Sequence, residues 1–128
     1  QFYGWIVLNR INLMTTSKYG RKLNVLAQGI VTGYSSGASI SYKSYDNAST
    51  LSVSRQGTGK YRVNFPSNWG LITGSYIVMM TGYGSGLMKA TLLEAGTSYF
   101  IAEVSDDSSA NDGSFMFQII NLNDWLVL

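Results

Sequence analysis

The chain has 128 residues, of which 45% are hydrophobic and 13% aromatic, with 14 Gly, a single Pro and only 12% charged side chains; this size and composition support one ordered domain and exclude intrinsic disorder and a charge-laced helical bundle. There is no Cys and no His, which removes disulfides, the usual Cys/His zinc sites, Cys–His dyads and Ser-His-Asp triads. The net charge of +2 comes with Lys and Arg that are spaced rather than clustered, so the basic face that phosphate neutralisation requires is missing and nucleic acid is not an expected partner.

Arg10, Lys18, Arg21 and Lys22 put four positive charges and no acid into residues 1–24. This segment has no clean period of either kind, but it carries Phe2, Tyr3, Trp5, Ile6, Val7, Leu8, Ile11, Leu13 and Met14. Its longest apolar run, residues 5–8, is far short of the roughly 20 residues that span a bilayer, and no targeting segment or membrane insertion is expected. An apolar load of this size must be covered, either by its own domain as an extra strand or by copies of itself in an oligomer, and the second is favoured here. The chain is therefore divided into an arm, residues 1–24, serving oligomerisation or attachment, and a head domain, residues 25–128.

From about Ala27 onward the sequence reads as short strands separated by Gly, Ser and Asn/Asp turns. Alternation is strict in residues 38–42, in residues 51–54 and most clearly in residues 60–65, where Tyr61, Val63 and Phe65 share one face. Gln56-Gly57-Thr58-Gly59 between the last two predicts an antiparallel hairpin. Tyr76-Ile77-Val78-Met79-Met80 is a continuous apolar run, which predicts a central strand covered on both faces. Residues 87–93 and 99–104 read as a second hairpin about a turn at residues 94–97. The longest polar loop, residues 105–113, leads to Phe115, Phe117 and Ile119 on one face of a strand, and residues 125–128 form an apolar terminal strand. Eight or nine strands at such spacing predict an all-β antiparallel sandwich or jelly roll.

The seven acids, Asp46, Glu94, Glu103, Asp106, Asp107, Asp112 and Asp124, stand in turns or at polar strand positions, where solvated carboxylates belong, rather than as a pair facing across a cleft. No enzymatic activity and no cofactor are expected. Asp106, Asp107 and Asp112 with Asn111 offer oxygen ligands that Ca²⁺ would accept, but the EF-hand order is missing and Asx-turns explain the same residues. Gly82-Tyr83-Gly84-Ser85-Gly86 precedes a strand rather than a helix, so it reads as a turn and not a phosphate cradle. Asn47-Ala48-Ser49 matches the N-glycosylation acceptor pattern. Nine Tyr and three Trp are the more telling feature, because aromatic faces beside amides and hydroxyls are what protein surfaces use to hold sugars. The contact candidates are the loop aromatics and amides Tyr34, Tyr45, Asn47, Trp69, Tyr83, Asn111 and Asp112, with Tyr42 nearby. Alternate loops of a sandwich emerge at opposite ends, so this set is not expected to form one patch.

Residues 53–65, with the pattern V-x-R-x-G-x-G-x-Y-x-V-x-F, are followed by Ser75-Tyr76-Ile77-Val78-Met79 and later by a Ser/Asp-rich loop running into Asp112-Gly113-Ser114-Phe115-Met116-Phe117. Together these resemble the head domains of phage tail fibres and related virion fibres, over about residues 27–128. The resemblance implies a homotrimeric fibre head at a virion surface, extracellular, with lobes about a three-fold axis. Such a head binds a bacterial surface glycan or protein and is joined to other fibre or baseplate proteins, without catalysis. Avidity would then be the mechanism, with shallow contacts multiplied by copy number. Two other classes compete: a structural virion component with no receptor, and a monomeric carbohydrate-binding module. A polysaccharide-cleaving enzyme would be revealed by loss of turnover in Asp106→Asn or Glu103→Gln.

Overall fold

The computed structural model describes residues 24–46, 50–84 and 88–122, Asn24 by its backbone alone. The arm apart from Asn24, the glycosylation triplet with Asn47, and the expected terminal strand at residues 125–128 lie outside the described residues. Eight strands are described: β1 (Asn24–Tyr34), β2 (Gly37–Ser44), β3 (Ser52–Gly57), β4 (Lys60–Asn64), β5 (Tyr76–Tyr83), β6 (Lys89–Ala95), β7 (Tyr99–Ser105) and β8 (Ser114–Asn121). A single 3₁₀ turn, Ser67–Trp69, lies between β4 and β5.

The strands form the expected antiparallel sandwich, one sheet in the order β2-β1-β8-β5 and the other in the order β3-β4-β7-β6. Three hairpins stay within a sheet: β1–β2, β3–β4 and β6–β7. The other connections cross between sheets, and β8 returns to fill the gap between β1 and β5. The predicted hairpin at residues 56–59 forms where expected, with Gly57 opposite Lys60 and Gly59 at φ 70°. A side chain at Gly59 would meet the Val104 carbonyl at 2.5 Å, so this turn requires both the left-handed conformation and the missing Cβ.

The alternating residues do what their period demands. Tyr61, Val63 and Phe65 point inward from β4 and its exit, Phe100, Ala102 and Val104 from β7, and Phe115, Phe117 and Ile119 from β8; all are buried. Leu26, Ala27 and Val31 from β1 close the other side, and the rings of Phe100 and Phe117 meet across the sheets at 5.6 Å.

Two strand expectations need correction. β5 is an edge strand rather than a central one, and Ile77 and Met79 on its outer side are 42% and 56% exposed. The run is continuous because an apolar outer face alternates with the inward set Tyr76, Val78 and Met80, a pattern that periodicity cannot distinguish from double burial. In the following hairpin Glu94 and Ala95 belong to β6 instead of the turn, because a register shift between Leu92 and Glu94 carries pairing to Ala95↔Phe100.

Gly33 is the tightest point of the fold: a Cβ there would lie 2.0 Å from the Tyr61 hydroxyl oxygen and 2.6 Å from the Gly113 carbonyl. Neither neighbour can retreat, since Tyr61 is fully buried and Gly113 accepts a hydrogen bond from Gly33 N at 3.0 Å. Gly33→Ala is expected to destabilise the domain by about 1–3 kcal/mol, as overpacked cores do, read as a lower midpoint in urea unfolding, whereas Gly37→Ala at a turn with room should change it little.

Candidate functional site

The candidate contact residues divide between the two ends of the sandwich. Tyr34 closes β1, Tyr83 closes β5, and Asn111 and Asp112 lead into β8, which places these four at the end where Thr32, Ser114 and Tyr83 stand in register. Tyr45 follows β2 and Trp69 follows β4, at the opposite end.

At the first end the structure assigns Asp112 to the protein itself. Arg55 donates to both of its oxygens, Nε to Oδ1 and Nη2 to Oδ2, each at 3.0 Å. Gly59 N donates to Oδ1 at 3.0 Å and the Tyr61 hydroxyl at 2.7 Å. Asp112, expected among the contact residues, is thereby a clamp that fastens the long loop to the β3–β4 hairpin. The Arg55 guanidinium, with the Gly59 N–H and the Tyr61 hydroxyl, holds the Asp112 carboxyl well below the usual carboxylate range, while burial and the bond to Asp112 push the Tyr61 hydroxyl up to about 12. Asp106 accepts from Ser108 N, Ser109 N and Asn111 Nδ2, an Asx-turn whose donors likewise lower its pKa. Two of the three carboxylates offered as cation ligands, Asp106 and Asp112, are therefore turned towards protein donors, and among the described residues no three His, Cys, Asp or Glu converge as a metal-holding group. Asn111 is tied to that turn by its side chain, leaving Tyr34 and Tyr83 as the half-exposed groups at this end.

At the other end the arrangement differs in kind. The ring of Trp69 stacks on Phe65 with centroids 5.6 Å apart and planes 13° apart, and Tyr45 leans on Trp69 at 5.9 Å. Phe65 is buried and meets Tyr76 edge-on at 5.7 Å, while the Tyr76 hydroxyl donates to the Gly96 carbonyl at 2.6 Å. The four rings thus run as a column from the core to the surface, where Tyr45 is 57% exposed. Local sequence explains the placement: Pro66 sets φ −65° before the 3₁₀ turn, and Gly70 at φ 70° ends it, so Trp69 is folded back over Phe65. The Tyr45 backbone N–H donates to Leu26 O at 2.9 Å, and its chain neighbours are joined to each other, Ser44 Oγ donating to Asp46 Oδ1 at 3.2 Å. Burial, with the electrostatic effect of Tyr99 next, pushes the Tyr76 hydroxyl up to about 12.

Two expected residues, Tyr45 and Trp69, are therefore brought together, whereas Tyr34, Tyr83, Asn111 and Asp112 stand at the other end, the last two engaged internally, and Asn47 lies outside the described residues. Phe65 and Tyr76, which support the pair, were marked only as core and strand residues. Arg55 was not singled out, although its inward phase with Val53 on β3 is a signal, because a cation on the core side of a strand requires an anion there.

Comparison with family models, with curated proteins and with solved structures finds no match to this chain. The fold and the site define it as an all-β sandwich with an aromatic pair at one end, Tyr45 exposed and Trp69 half-buried beneath it.

The clamp makes a pH prediction. A carboxyl whose folded pKa is lowered contributes stability that is present above its ordinary value of 3.8 and is lost as the pH falls from there through the lowered value. Asp112→Ala should cost about 1–3 kcal/mol at neutral pH by leaving the buried Tyr61 hydroxyl and Gly59 N–H without their acceptor, and its difference from wild type in urea unfolding should shrink below pH 3.8.

Proposed function

We propose that the chain is a non-enzymatic adhesion head that holds a cell-surface glycan on the Tyr45–Trp69 pair. The observation that carries this reading is the column itself: an exposed ring, and its partner stacked 5.6 Å from a buried Phe. A sugar presents apolar C–H patches, and the face of an exposed aromatic ring supported from beneath meets them. Rigidity adds to this, since rings pinned to the core lose little freedom on binding. The carboxylates with shifted pKa values, Asp106 and Asp112, are lowered rather than raised, which suits hydrogen-bonded structural groups and not a general acid.

The resemblance to phage tail-fibre heads extends the reading to a virion-surface, trimeric receptor-binding domain, with one shallow site per copy and avidity supplying the strength. Without a receptor role the same sandwich would be a structural fibre component, and as a monomer it would be a carbohydrate-binding module.

Two measurements separate these. On an array of bacterial surface polysaccharides, Tyr45→Ala should weaken binding by about tenfold, the size of one aromatic contact of about 1.4 kcal/mol, whereas Tyr83→Ala at the far end should not. Retention of full affinity by Tyr45→Ala and Trp69→Ala would remove the site. Light scattering on residues 1–128 should give the mass of a trimer; a monomer that still binds glycan would be the carbohydrate-binding module.

A further inference from the structure

The alternation that sends Phe115, Phe117 and Ile119 of β8 into the core turns Met116 and Gln118 outwards, onto the far side of the β2-β1-β8-β5 sheet. There register sets Lys43, Gln28, Gln118 and Met79 in one row across the four strands, with Ile30 and Met116 side by side in the next. These rows line a groove of about 600 Å³, the size of a small-ligand site. A smaller depression of about 220 Å³ has Tyr45 in its wall and shares Gln28 and Lys43 with the groove. The surface is therefore continuous from the exposed ring of the aromatic column onto the face of the sheet.

The middle row of that face is polar. Gln118 Nε2 donates to Gln28 Oε1 at 2.9 Å, which fixes the two carboxamides against each other and leaves the Gln28 NH₂ and the Gln118 oxygen without a partner among the described residues. Ile30, Met79 and Met116 offer apolar contact beside the pair. Lys43 is the one charged side chain lining either depression; it is exposed, and among the described residues it has no ion pair. A ligand that fits brings hydroxyls for the amides, C–H faces for the apolar side chains and a carboxylate for the ammonium, which is the make-up of a sugar chain containing uronic acids. A nucleic acid would need a row of cations, and a neutral chain would leave Lys43 unmatched.

We infer, on the basis of the Tyr45–Trp69 reading above, that the glycan held at Tyr45 is an acidic chain that runs on past Lys43 and across the Gln28–Gln118 row, with a uronate carboxylate against the Lys43 ammonium. Length agrees: the row crosses four neighbouring strands, a span of roughly 14 Å at the usual strand spacing, which is more than one sugar ring covers. The mutual bond of the two glutamines lowers the ordering cost of binding, since neither amide has to be fixed by the ligand alone.

The test is a titration of the whole chain, labelled with ¹³C-methyl methionine, with short polymannuronate chains and with the same chains after reduction of their carboxyl groups. Polymannuronate should shift the methyl signals of Met79 and Met116 in the groove and leave that of Met88, packed against the core, in place. Carboxyl reduction and Lys43→Gln should each weaken binding by about fivefold, the size of an exposed charge contact. Absence of binding, equal affinity for the reduced chains, or full affinity in Lys43→Gln would overturn the inference. Binding that Tyr45→Ala weakens while the Met79 and Met116 signals stay still would overturn the extension across the sheet and leave the Tyr45–Trp69 pair standing. Shifts at Met79 and Met116 with full affinity in both Tyr45→Ala and Trp69→Ala would instead remove the pair, and with it the chain path that begins there.

Discussion

Tyr61 is the constraint on which the head of the sandwich depends. Its ring fills space that exists only because position 33 has no side chain, and its hydroxyl is carried into a region where an unpaired polar group would be costly. Asp112 resolves that cost, and its charge is resolved in turn by the fork of Arg55 and the N–H of Gly59. Four segments distant in sequence, β1, the β3–β4 hairpin, the long loop and the start of β8, are thereby held in one arrangement. Since Gly113 N also donates to the Tyr61 hydroxyl, β8 starts in the register that brings Phe115, Phe117 and Ile119 into the core.

The opposite end is built on a different principle. There the core is extended outwards ring by ring, from Tyr76 through Phe65 and Trp69 to Tyr45, with no ion pair in the column. One end therefore spends its polar groups on internal satisfaction, whereas the other presents an aromatic surface supported from beneath. This division explains why the aromatic end is the better candidate for a partner: its exposed ring is not needed to satisfy any buried group, so contact with a ligand does not compete with folding.

Much of the architecture was readable from residue order. Tyr61, Val63 and Phe65, and likewise Phe115, Phe117 and Ile119, alternate so strictly that their inward face is unambiguous, and Gly57-Thr58-Gly59 marks its hairpin by local chemistry. β5 was misplaced because an edge strand with an apolar outer face and a central strand buried on both sides have the same apolar run; only neighbours distinguish them. Of the site, Tyr45 and Trp69 were legible as loop aromatics, but their meeting depends on β2 and the 3₁₀ turn emerging at the same end, which is a property of connectivity. Asp112 was legible as a loop acid and not as a clamp, since its partners Arg55 and Tyr61 are 57 and 51 residues away.

What the sequence by itself determined is what short-range physics controls: an all-β chain, the inward phase of most strands, the turns that need glycine, and the absence of cysteine and histidine chemistry. What only the tertiary structure decided is which loops share an end and which acid is structural. The reason is physical. Alternation and turn propensity act over a few residues, while the pairing of β1 with β8 and of β4 with β7 brings together groups far apart in the chain, and no local pattern specifies those partners.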